Sequence, residues 1–423
     1  MTIGELYELF DALRPLRRRA AAAILDDRLD VQSEDRWKTE CSRRRPCRDA
    51  RDALSRAHAM LEALPGEHHH REVSVDGRDL RINLDYEFQE LERDLVCLDD
   101  GMSGLDPLLH VPGRFEEELE ALRSLFGSTR YSAVFSDRDG TIANYCGRYR
   151  SSHQPFYAAV RVGRFAAERS RDFFIVTSGP LYGHGLLSLS CFPPETVHLA
   201  GSKGREFLLA DGTTGSFPLT DVQRAAMITL DEMIRALLER PEYRLLTMIG
   251  SGYQRKFGQL TVSRQDIHRS VPAEVSESFL RDLRGMVDEF DVGGGRFELD
   301  DTGFDIEITL TAEGSQTRGF NKGDGVAFLA DSLGHDLRHD PVLVCGDTPS
   351  DLPMLEHLAE SGYETHAIFV AADGDLERQV RRLATRAVVC SGPDVLVAAM
   401  GIAGHAGGHD EFTADEQTRR RDL

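Results

Sequence analysis

The sequence predicts an α/β protein with a doubly wound parallel-sheet core, an inserted α/β cap domain and an N-terminal helical module. From about residue 129 onward, short apolar strands alternate with helical segments, which is the rhythm of a parallel sheet. The alternation breaks between 206 and 318 and then resumes, which indicates an insertion. Before residue 127, apolar residues recur mainly at helical spacing. A chain of 423 residues is too long for one compact core, so two or three domains are expected.

Residues 1–126 are expected to form the helical module, which could mediate an interaction or a homo-oligomer. Apolar residues from Leu6 to Leu16 follow the three-four spacing of a helix, and Pro15 is expected to kink or split it. A β-hairpin is predicted over 71–84. The tract His68-His69-His70 fits a solvated loop better than a metal site.

The first half of the predicted core contains three strands whose carboxyl ends carry polar residues or glycine. The strands are expected at Tyr131–Ser136, Phe173–Val176 and Val197–Ala200, with a helix at Phe156–Glu168. Functional sites of parallel sheets lie beyond the carboxyl ends of the strands. Asp137 and Thr177 follow two of these strands directly, so a site is expected there.

The inserted segment is predicted to be a cap with strands and helices in an α+β order, entered through the flexible residues 201–204. The expected elements are a strand pair around Phe207–Phe217, a helix at Thr220–Leu238, strands at Tyr243–Gly250 and Lys256–Val262, a helix at Glu274–Glu289, and strands at Gly295–Leu299 and Phe304–Leu310. The core then resumes with a helix that ends at Leu333 and strands at Pro341–Cys345, Ala367–Val370 and, at the sheet edge, Ala387–Val389.

These elements divide the chain into four parts. The predicted parts are the module at 1–126, the core at 127–205 and 319–405, the cap at 206–318, and a disordered tail at 406–423.

The composition excludes some classes of function. There are 71 acidic and 50 basic residues, which give a formal charge of −21. Such a chain would repel the phosphate backbone of a nucleic acid, so no nucleic-acid partner is expected. A phosphate-binding site in this protein must be made locally positive by a metal ion and by lysine or arginine.

The cysteine pattern and the apolar runs indicate a compartment. The seven cysteines contain no C-x-x-C pair, which is typical of reduced thiols in a cytoplasm. Glu5, Glu8 and Asp11 interrupt the N-terminal apolar residues, so no signal-peptide core is expected. No apolar run approaches the length of a membrane span. We therefore expect a cytoplasmic protein without a membrane partner.

The run Ala133 to Thr141 places two carboxylates one residue apart at the end of a strand. Residues i and i+2 of a strand share a face, so Asp137 and Asp139 can point the same way. Carboxylates so placed repel each other unless a cation such as Mg²⁺ neutralises them. An acidic turn that caps a helix would show the same short pattern, so the other motifs of the chain must decide.

Four features lie at strand ends or helix starts of the predicted core. They are Asp137-x-Asp139-Gly-Thr, Thr177-Ser178, Lys322 and Gly346-Asp347-x-x-x-Asp351. In this order and spacing they resemble the four motifs of the haloacid dehalogenase superfamily, and the resemblance covers about residues 130 to 400, the cap included.

The resemblance implies a phosphoryl-transfer mechanism and its residues. Asp137 would attack phosphorus and form an aspartyl-phosphate, and Asp139 would be the general acid and base. An acid and base at Asp139 implies a phosphatase or mutase rather than a dehalogenase. Thr177 or Ser178 would bind a phosphate oxygen, and Lys322 would balance the negative charge.

The same resemblance implies a Mg²⁺ cofactor. Asp137, Asp347 and the backbone carbonyl of Asp139 would be its ligands, and Asp351 would hold the metal site from behind.

Longer runs narrow the resemblance to the nematode type of trehalose-6-phosphate phosphatase, which also carries a helical N-terminal extension. The runs are Asn144-Tyr145-Cys146, Gln154-Pro155, 177–181, 201–206, 250–256, 321–326 and 344–351. Pro180 stands where many bacterial trehalose phosphatases have arginine. Residues 346–351 read Gly-Asp-Thr-Pro-Ser-Asp, whereas the usual bacterial run is Gly-Asp-Asp-x-Thr-Asp. The choice between Thr177 and Ser178 is therefore open.

Sugar hydroxyls need paired donors and acceptors, which the cap is expected to supply. Gln254, Arg255, Lys256 and Glu307 are the predicted substrate-binding residues for trehalose 6-phosphate, and a solvated strand face is the alternative interpretation of each. Lys256 and Glu307 fall where the resemblance implies sugar contacts.

Three other functions remain open at this point. Another sugar phosphate, such as sucrose 6-phosphate or a glycosyl-glycerol phosphate, would use the same chemistry. A catalytically silent sugar-phosphate sensor would have lost a motif residue, whereas all six are present. A phosphomutase is disfavoured because its cap is usually small and helical.

Overall fold

The computed structural model describes residues 1–26, 34–75, 77–110, 113–267, 269–292, 295–311 and 319–404. The tail predicted to be disordered lies outside the described residues.

The N-terminal module contains five helices and a small antiparallel sheet within the described residues. The elements are α1 (Ile3–Leu25), α2 (Glu34–Arg43), α3 (Arg45–Glu62), β1 (Gly66–Glu67), β2 (His70–Val75), β3 (Arg78–Asn83), α4 (Asp85–Leu109) and α5 (Phe115–Phe126). The predicted hairpin is confirmed by the pairing of β2 with β3. Thr2 and Glu5 form a capping box that begins α1. The expected split at Pro15 is absent, because α1 continues as one helix from Ile3 to Leu25.

The core and its insertion follow in chain order. The first core elements are β4 (Tyr131–Ser136), α6 (Phe156–Arg169), β5 (Ser170–Val176), α7 (Leu186–Leu189), β6 (His198–Gly201), β7 (Glu206–Leu208) and β8 (Thr214–Ser216). The inserted elements are α8 (Asp221–Leu238), β9 (Tyr253–Lys256), β10 (Gln259–Ser263), α9 (Ala273–Phe290), β11 (Phe297–Asp301) and β12 (Asp305–Leu310). The last core elements are α10 (Lys322–Leu333), β13 (Val342–Gly346), α11 (Leu352–Glu360), β14 (Thr365–Val370), α12 (Gly374–Leu383), β15 (Arg386–Cys390) and α13 (Pro393–Ala403).

Among the described residues, the core sheet has eight strands in the order β15-β14-β13-β4-β5-β6-β7-β8. The six strands from β15 to β6 are parallel, and β15 lies at the edge as predicted. Ser136 pairs with Cys345 on one side and with Ile175 on the other. The strands β13, β4 and β5 therefore end together, and the residues that follow them meet at one edge of the sheet.

Three predictions about the inserted segment are wrong. The strand pair at β7 and β8 extends the core sheet through β6 instead of joining the insertion. The segment predicted as a strand at 243–250 forms a 3₁₀-helix at Arg244–Thr247. Its apolar residues are contiguous rather than alternating, so a helical turn buries them on two sides. The segment predicted as one strand at 256–262 is a hairpin of β9 and β10, turning at Gly258 with φ +72°.

Within the part of the chain that the structure describes, buried apolar side chains form three clusters. One cluster covers one face of the core sheet and continues through α6 and α13 into the N-terminal module. A second lies on the opposite face beneath α10, α11 and α12. The third lies in the inserted segment, between its sheet and the helices α8 and α9. The module therefore shares its apolar core with the sheet.

Buried charges also join the module to the core. Arg148 donates from Nη2 to Oε1 of Glu87 at 2.7 Å. Arg93 donates from Nη2 to Oδ2 of Asp394 at 2.8 Å. Both pairs lie where water has little access, so each charge depends on its partner. We call these two pairs the interface ion pairs.

The module also contacts the inserted segment. The Tyr7 hydroxyl in α1 donates to the carbonyl of Met248 at 2.7 Å. Arg150 of the core lies over the Tyr7 ring at 4.7 Å. The predicted homo-oligomer through this module stays a prediction. Among the described residues, no helix is both long and apolar enough to cross a membrane.

Candidate active site

Three carboxylates converge at the carboxyl ends of β4 and β13. Oxygens of Asp137, Asp347 and Asp351 lie within 4.8 Å of one another. Asp137 follows β4 directly, and its backbone N–H donates to the carbonyl of Cys345 at 2.9 Å. The aligned strand ends thus bring together residues 210 positions apart in the chain, as the sequence predicted.

Gly140 allows the loop after β4 to approach Asp347. Its φ of +86° lies in the left-handed region, and a Cβ at this position would lie 2.1 Å from Oδ2 of Asp347. The hydroxyl of Thr141 lies 3.4 Å from Oδ2 of Asp137 and 3.5 Å from Oδ1 of Asp347. The Gly-Thr turn therefore fits between the two carboxylates.

Lys322 brings a positive charge to this cluster. It is the first residue of α10, and a capping box between Asn321 and Asp324 fixes the start of that helix. Its ammonium contacts Oδ1 of Asp137 and Oδ1 of Asp351. Burial opposes the charged form, but the two carboxylates raise the pKa of Lys322 above its ordinary value. The lysine is therefore charged.

Asp351 fixes the loop that follows β13. Its Oδ2 accepts from the backbone N–H of Asp347 at 3.1 Å and of Thr348 at 3.0 Å, and from the Thr348 hydroxyl at 3.0 Å. Its Oδ1 contacts Lys322. Both oxygens of Asp351 are thus bound by protein groups. This fits a residue that positions the metal ligands instead of contacting the ion itself.

The charge balance at this site fits a divalent cation. Burial, with help from the neighbouring carboxylates and against the effect of Lys322, raises the pKa of Asp137 to about 7. Burial and the charges of Asp137 and Asp351 raise the pKa of Asp347 to about 8. One lysine does not neutralise three carboxylates, of which Asp137 and Asp351 are buried and Asp347 is half-buried. A hard cation with oxygen ligands would complete the neutralisation, and Mg²⁺ is such an ion.

Asp139 lies outside the carboxylate cluster and contacts a buried arginine. Arg138 donates from Nη1 to Oδ1 of Asp139 at 2.6 Å, and Ser152 donates to the same oxygen at 3.1 Å. Arg138 also donates to the Ser152 hydroxyl at 2.8 Å. These contacts fix the side chain of Asp139, and neither partner was predicted from the sequence.

Thr177 and Ser178 lie at the carboxyl end of β5. Thr177 is buried, and its hydroxyl oxygen accepts from the N–H of Gly179 at 3.2 Å. Ser178 is half-buried. The N–H of Lys203 donates to the carbonyl of Thr177 at 2.9 Å, so the loop after β6 packs on this strand end.

The inserted sheet has the order β11-β12-β10-β9 and two different faces. One face is apolar and packs on α8 and α9. The other presents polar residues from the three neighbouring strands β9, β10 and β12. We call this set the polar cap face, and it consists of Gln254, Lys256, Gln259, Thr261, Ser263, Asp305, Glu307 and Thr309.

Three of the four predicted cap residues belong to the polar cap face. The Glu307 carboxylate lies 3.7 Å from the ammonium of Lys256, and Lys203 of the core reaches the same carboxylate at 3.2 Å. Burial acts against ionisation, yet the two lysines lower the pKa of Glu307 to about 2. Arg255 points to the opposite face, where it lies 3.3 Å from Asp231. The structure therefore places Arg255 apart from Lys256 and Glu307, although it lines one cavity together with Gln254.

Lys203 is a site residue that the sequence analysis missed. It lies two residues after the end of β6, so its place in the loop after a parallel strand was an available signal, although Asp137 and Thr177 follow their strands directly. Nearby, Arg205 donates to the carbonyls of Gly258 at 2.6 Å and Leu310 at 3.2 Å. The loop after β6 thus links the core to the insertion.

A cavity of about 580 Å³ lies between the core and the insertion, and Asp137, Asp347 and Asp351 are not among its lining residues. Tyr149 and Pro180 of the core and Gln254 of the insertion are among its lining residues. A Cβ at Gly179 would lie 2.2 Å from the Tyr149 hydroxyl, which places that hydroxyl next to Ser178. The volume is within the range of roughly 300–1,000 Å³ that is typical of ligand pockets.

The fold and the carboxylate cluster define a protein of the haloacid dehalogenase class. Residues 134–396 match the family model described as trehalose-6-phosphate phosphatase, C-terminal. The chain belongs to this family. A trehalose-phosphatase from Brugia malayi is 30% identical over 94% of this chain and 85% of its own length. A trehalose-phosphatase from Caenorhabditis elegans is 29% identical over 80% of this chain and 85% of its own length.

Longer relatives match as well. The alpha,alpha-trehalose-phosphate synthase [UDP-forming] 2 of Caenorhabditis elegans is 31% identical over 83% of this chain, but only 30% of that protein is covered. The chain therefore spans about three tenths of the length of such relatives. Among solved structures, Aspergillus fumigatus trehalose-6-phosphate phosphatase (crystal form 2) has a TM-score of 0.41 and 16% identity, covering 68% of this chain and 97% of that one. These values carry no argument about the substrate.

Proposed function

We propose that this protein is a Mg²⁺-dependent phosphatase that hydrolyses trehalose 6-phosphate to trehalose and phosphate. The observation that carries the proposal is the convergence of Asp137, Asp347 and Asp351 with Lys322 at the strand ends. Family membership and the two nematode phosphatases support the substrate. We expect the enzyme to act in the cytoplasm.

Asp137 is the nucleophile in this proposal. One of its oxygens attacks phosphorus, the bond from phosphorus to the sugar oxygen breaks, and an aspartyl-phosphate forms. Asp139 donates its proton to the departing sugar oxygen. Its Oδ1 is bound by Arg138 and Ser152, so we assign proton transfer to Oδ2. In the second half, Asp139 takes a proton from water as the water oxygen attacks phosphorus and releases Asp137.

Mg²⁺ would be held by carboxylate oxygens of Asp137 and Asp347 and by the backbone carbonyl of Asp139. When bound, the ion supplies positive charge to the phosphate oxygens. Asp351 positions the loop of Asp347 by accepting a hydrogen bond from the Asp347 backbone N–H. Lys322 adds a further positive charge beside the nucleophile, and the hydroxyl of Thr177 or Ser178 donates to a phosphate oxygen.

The sugar is proposed to lie between the core and the polar cap face. Gln254, Lys256 and Glu307 offer donors and acceptors on that face, and Lys203 reaches it from the core. Buried polar groups left unpaired disfavour a wrong sugar. Hydrogen bonds from both sides would also hold the cap over the substrate and exclude water.

Phosphate release from trehalose 6-phosphate, measured beside glucose 6-phosphate and sucrose 6-phosphate, tests this function. We expect rapid release from the trehalose ester that needs Mg²⁺ and is lost on chelation. Asp137→Asn should lower turnover at least about 10³-fold. Asp221→Asn, at an exposed carboxylate on α8, is the matched control and should keep wild-type turnover.

The other outcomes separate the substrate from the mechanism. Rapid Mg²⁺-dependent release from a different ester would keep the mechanism and discard trehalose 6-phosphate. Full activity of Asp137→Asn would contradict the mechanism, and no release from any ester would favour a sugar-phosphate sensor.

A further inference from the structure

Cys41 and Cys47 lie together in the N-terminal module. Cys41 is in the last turn of α2, Cys47 is the third residue of α3, and only Arg44 separates the two helices. Both line the same cavity, and each lies close enough to shift the pKa of the other. Both side chains are 2% exposed. The pair lies far along the chain from the proposed active site and has no part in its chemistry.

The surroundings of Cys47 favour its thiolate. The N-terminus of a helix is positively polarised, and a cysteine in the first turn is stabilised as the anion. The interaction with Cys41, together with the charges of Arg44 and Arg48, lowers the pKa of Cys47 despite burial. Arg48 is kept close by its bonds to the carbonyls of Ser42 at 2.9 Å and Arg43 at 2.8 Å.

A cavity gives small molecules access to the pair. It has a volume of about 410 Å³ and is lined by both cysteines and by Leu98. Arg51 and Asp52 also line it and are exposed, so the cavity opens to solvent. A small oxidant such as a peroxide fits such a volume.

The remaining five cysteines lack these features. Burial raises the pKa of Cys146, Cys191 and Cys390 to about 12 in each case. Burial also raises the pKa of Cys97 and Cys345 well above the ordinary thiol value. These thiols are protonated at neutral pH, and so is Cys41, whose pKa is raised by its interaction with Cys47; Cys47 is therefore the thiol that reacts first.

We propose that Cys41 and Cys47 are a reversible oxidation site, at which a peroxide converts the two thiols into a disulfide. The Cys47 sulfur attacks one peroxide oxygen, the O–O bond breaks, and a sulfenic acid and one water form. The Cys41 sulfur then attacks the Cys47 sulfur, the S–O bond breaks, and a second water leaves. Two thiols and one hydrogen peroxide thus give one disulfide and two waters, and a dithiol reductant reverses the change.

Oxidation of the folded full chain by a small excess of hydrogen peroxide tests the site. Thiols are counted after denaturation, and the disulfide is located by peptide mass mapping. We expect two of the seven thiols to disappear, the Cys41–Cys47 peptide pair to appear, and dithiothreitol to restore both thiols. Loss of no thiol, or a disulfide elsewhere, would overturn the proposal.

Variants separate the two roles. Cys41→Ser should leave a sulfenic acid on Cys47 that dimedone traps, and Cys47→Ser should abolish rapid thiol loss. Cys390→Ser is the matched control and should still lose two thiols. Equal behaviour of all three variants would contradict the assignment.

A measurement on the wild-type protein does not depend on the folding of any variant. Iodoacetamide at neutral pH should alkylate Cys47 before any other cysteine of the native chain. Earlier alkylation of another cysteine would overturn the proposed reactivity.

Discussion

Lys322 carries its charge at the point where Asp137 and Asp351 meet. Replacing it in Lys322→Met keeps the length of the side chain but leaves two buried carboxylates without their counter-charge. Breaking a buried ion pair on one side costs about 3–5 kcal/mol, and we expect urea unfolding to show a loss of this size. Phosphate release should also be lost.

Arg338→Met is the control for this change. Arg338 is exposed and pairs with Asp336 at 3.4 Å. Exposed pairs contribute about 0–1 kcal/mol, so the stability should change little. An unfolding midpoint of Lys322→Met equal to that of the wild type would show that the lysine does not balance the cluster.

The hydroxyl that binds phosphate can be assigned by two conservative variants. Thr177 is buried at the strand end, whereas Ser178 is half-buried, so we expect Thr177 to be the donor. Thr177→Val should lower kcat/KM by about 10²-fold, as loss of one aligned donor does, and Ser178→Ala should have a much smaller effect. Steady-state kinetics on trehalose 6-phosphate measure both, and the reverse ranking would assign the phosphate to Ser178.

At the level of single residues, the sequence predicts the site residues that follow parallel strands or begin helices, because they occur in the order of the four motifs. Asp137, Asp347 and Lys322 are such residues, and the structure brings them together. The partners of Asp139 could not be found in this way. Arg138 and Ser152 reach it through a loop whose path has no sequence marker.

The strand β9 separates its side chains between two environments. Gln254 and Lys256 lie on the polar cap face, and Arg255 lies on the opposite face with Asp231. Lys256→Met should therefore raise KM for trehalose 6-phosphate about tenfold or more, since a buried charged contact is lost. Arg255→Met should leave KM within about twofold, since surface ion pairs contribute little.

Initial-rate kinetics on both variants check this prediction. Thermal unfolding of each variant serves as the control, because a folding defect would alter both parameters together. A large rise in KM for Arg255→Met with no rise for Lys256→Met would mean that the sugar lies on the other face of the strand.

At the level of elements, the parallel strands of the core follow from the sequence because each is a short apolar run with a polar residue after it. The pairing of β7 and β8 with β6 does not follow, because an antiparallel extension of a sheet edge depends on long-range contacts. The 3₁₀-helix at 244–247 was mistaken for a strand since short apolar runs suit either state.

The N-terminal module and the core share one apolar cluster, which makes the core dependent on the module. A chain that begins at residue 127 would expose the apolar faces of α6 and α13 to water and remove the ion-pair partners of Asp394 and Arg148. We expect this truncated chain to aggregate or to unfold without a cooperative transition. Light scattering and binding of an apolar dye, compared with the full chain, measure the difference.

A soluble truncated chain with a sharp unfolding transition would show that the core folds alone. The sequence could not predict this dependence. The amphipathic pattern of α1 shows that one face is buried, but it does not identify what covers that face.

The interface ion pairs restrict how the protein can change over evolutionary time. If Glu87 were replaced alone, Arg148 would remain as a buried charge without an ion-pair partner, and if Asp394 were replaced alone, Arg93 would keep only Glu90 of the module. A substitution on one side of the interface must therefore be accompanied by a compensating substitution on the other, so the module and the core evolve together. A chimera that joins the module of one relative to the core of another should fold only when both ends of each ion pair are exchanged together.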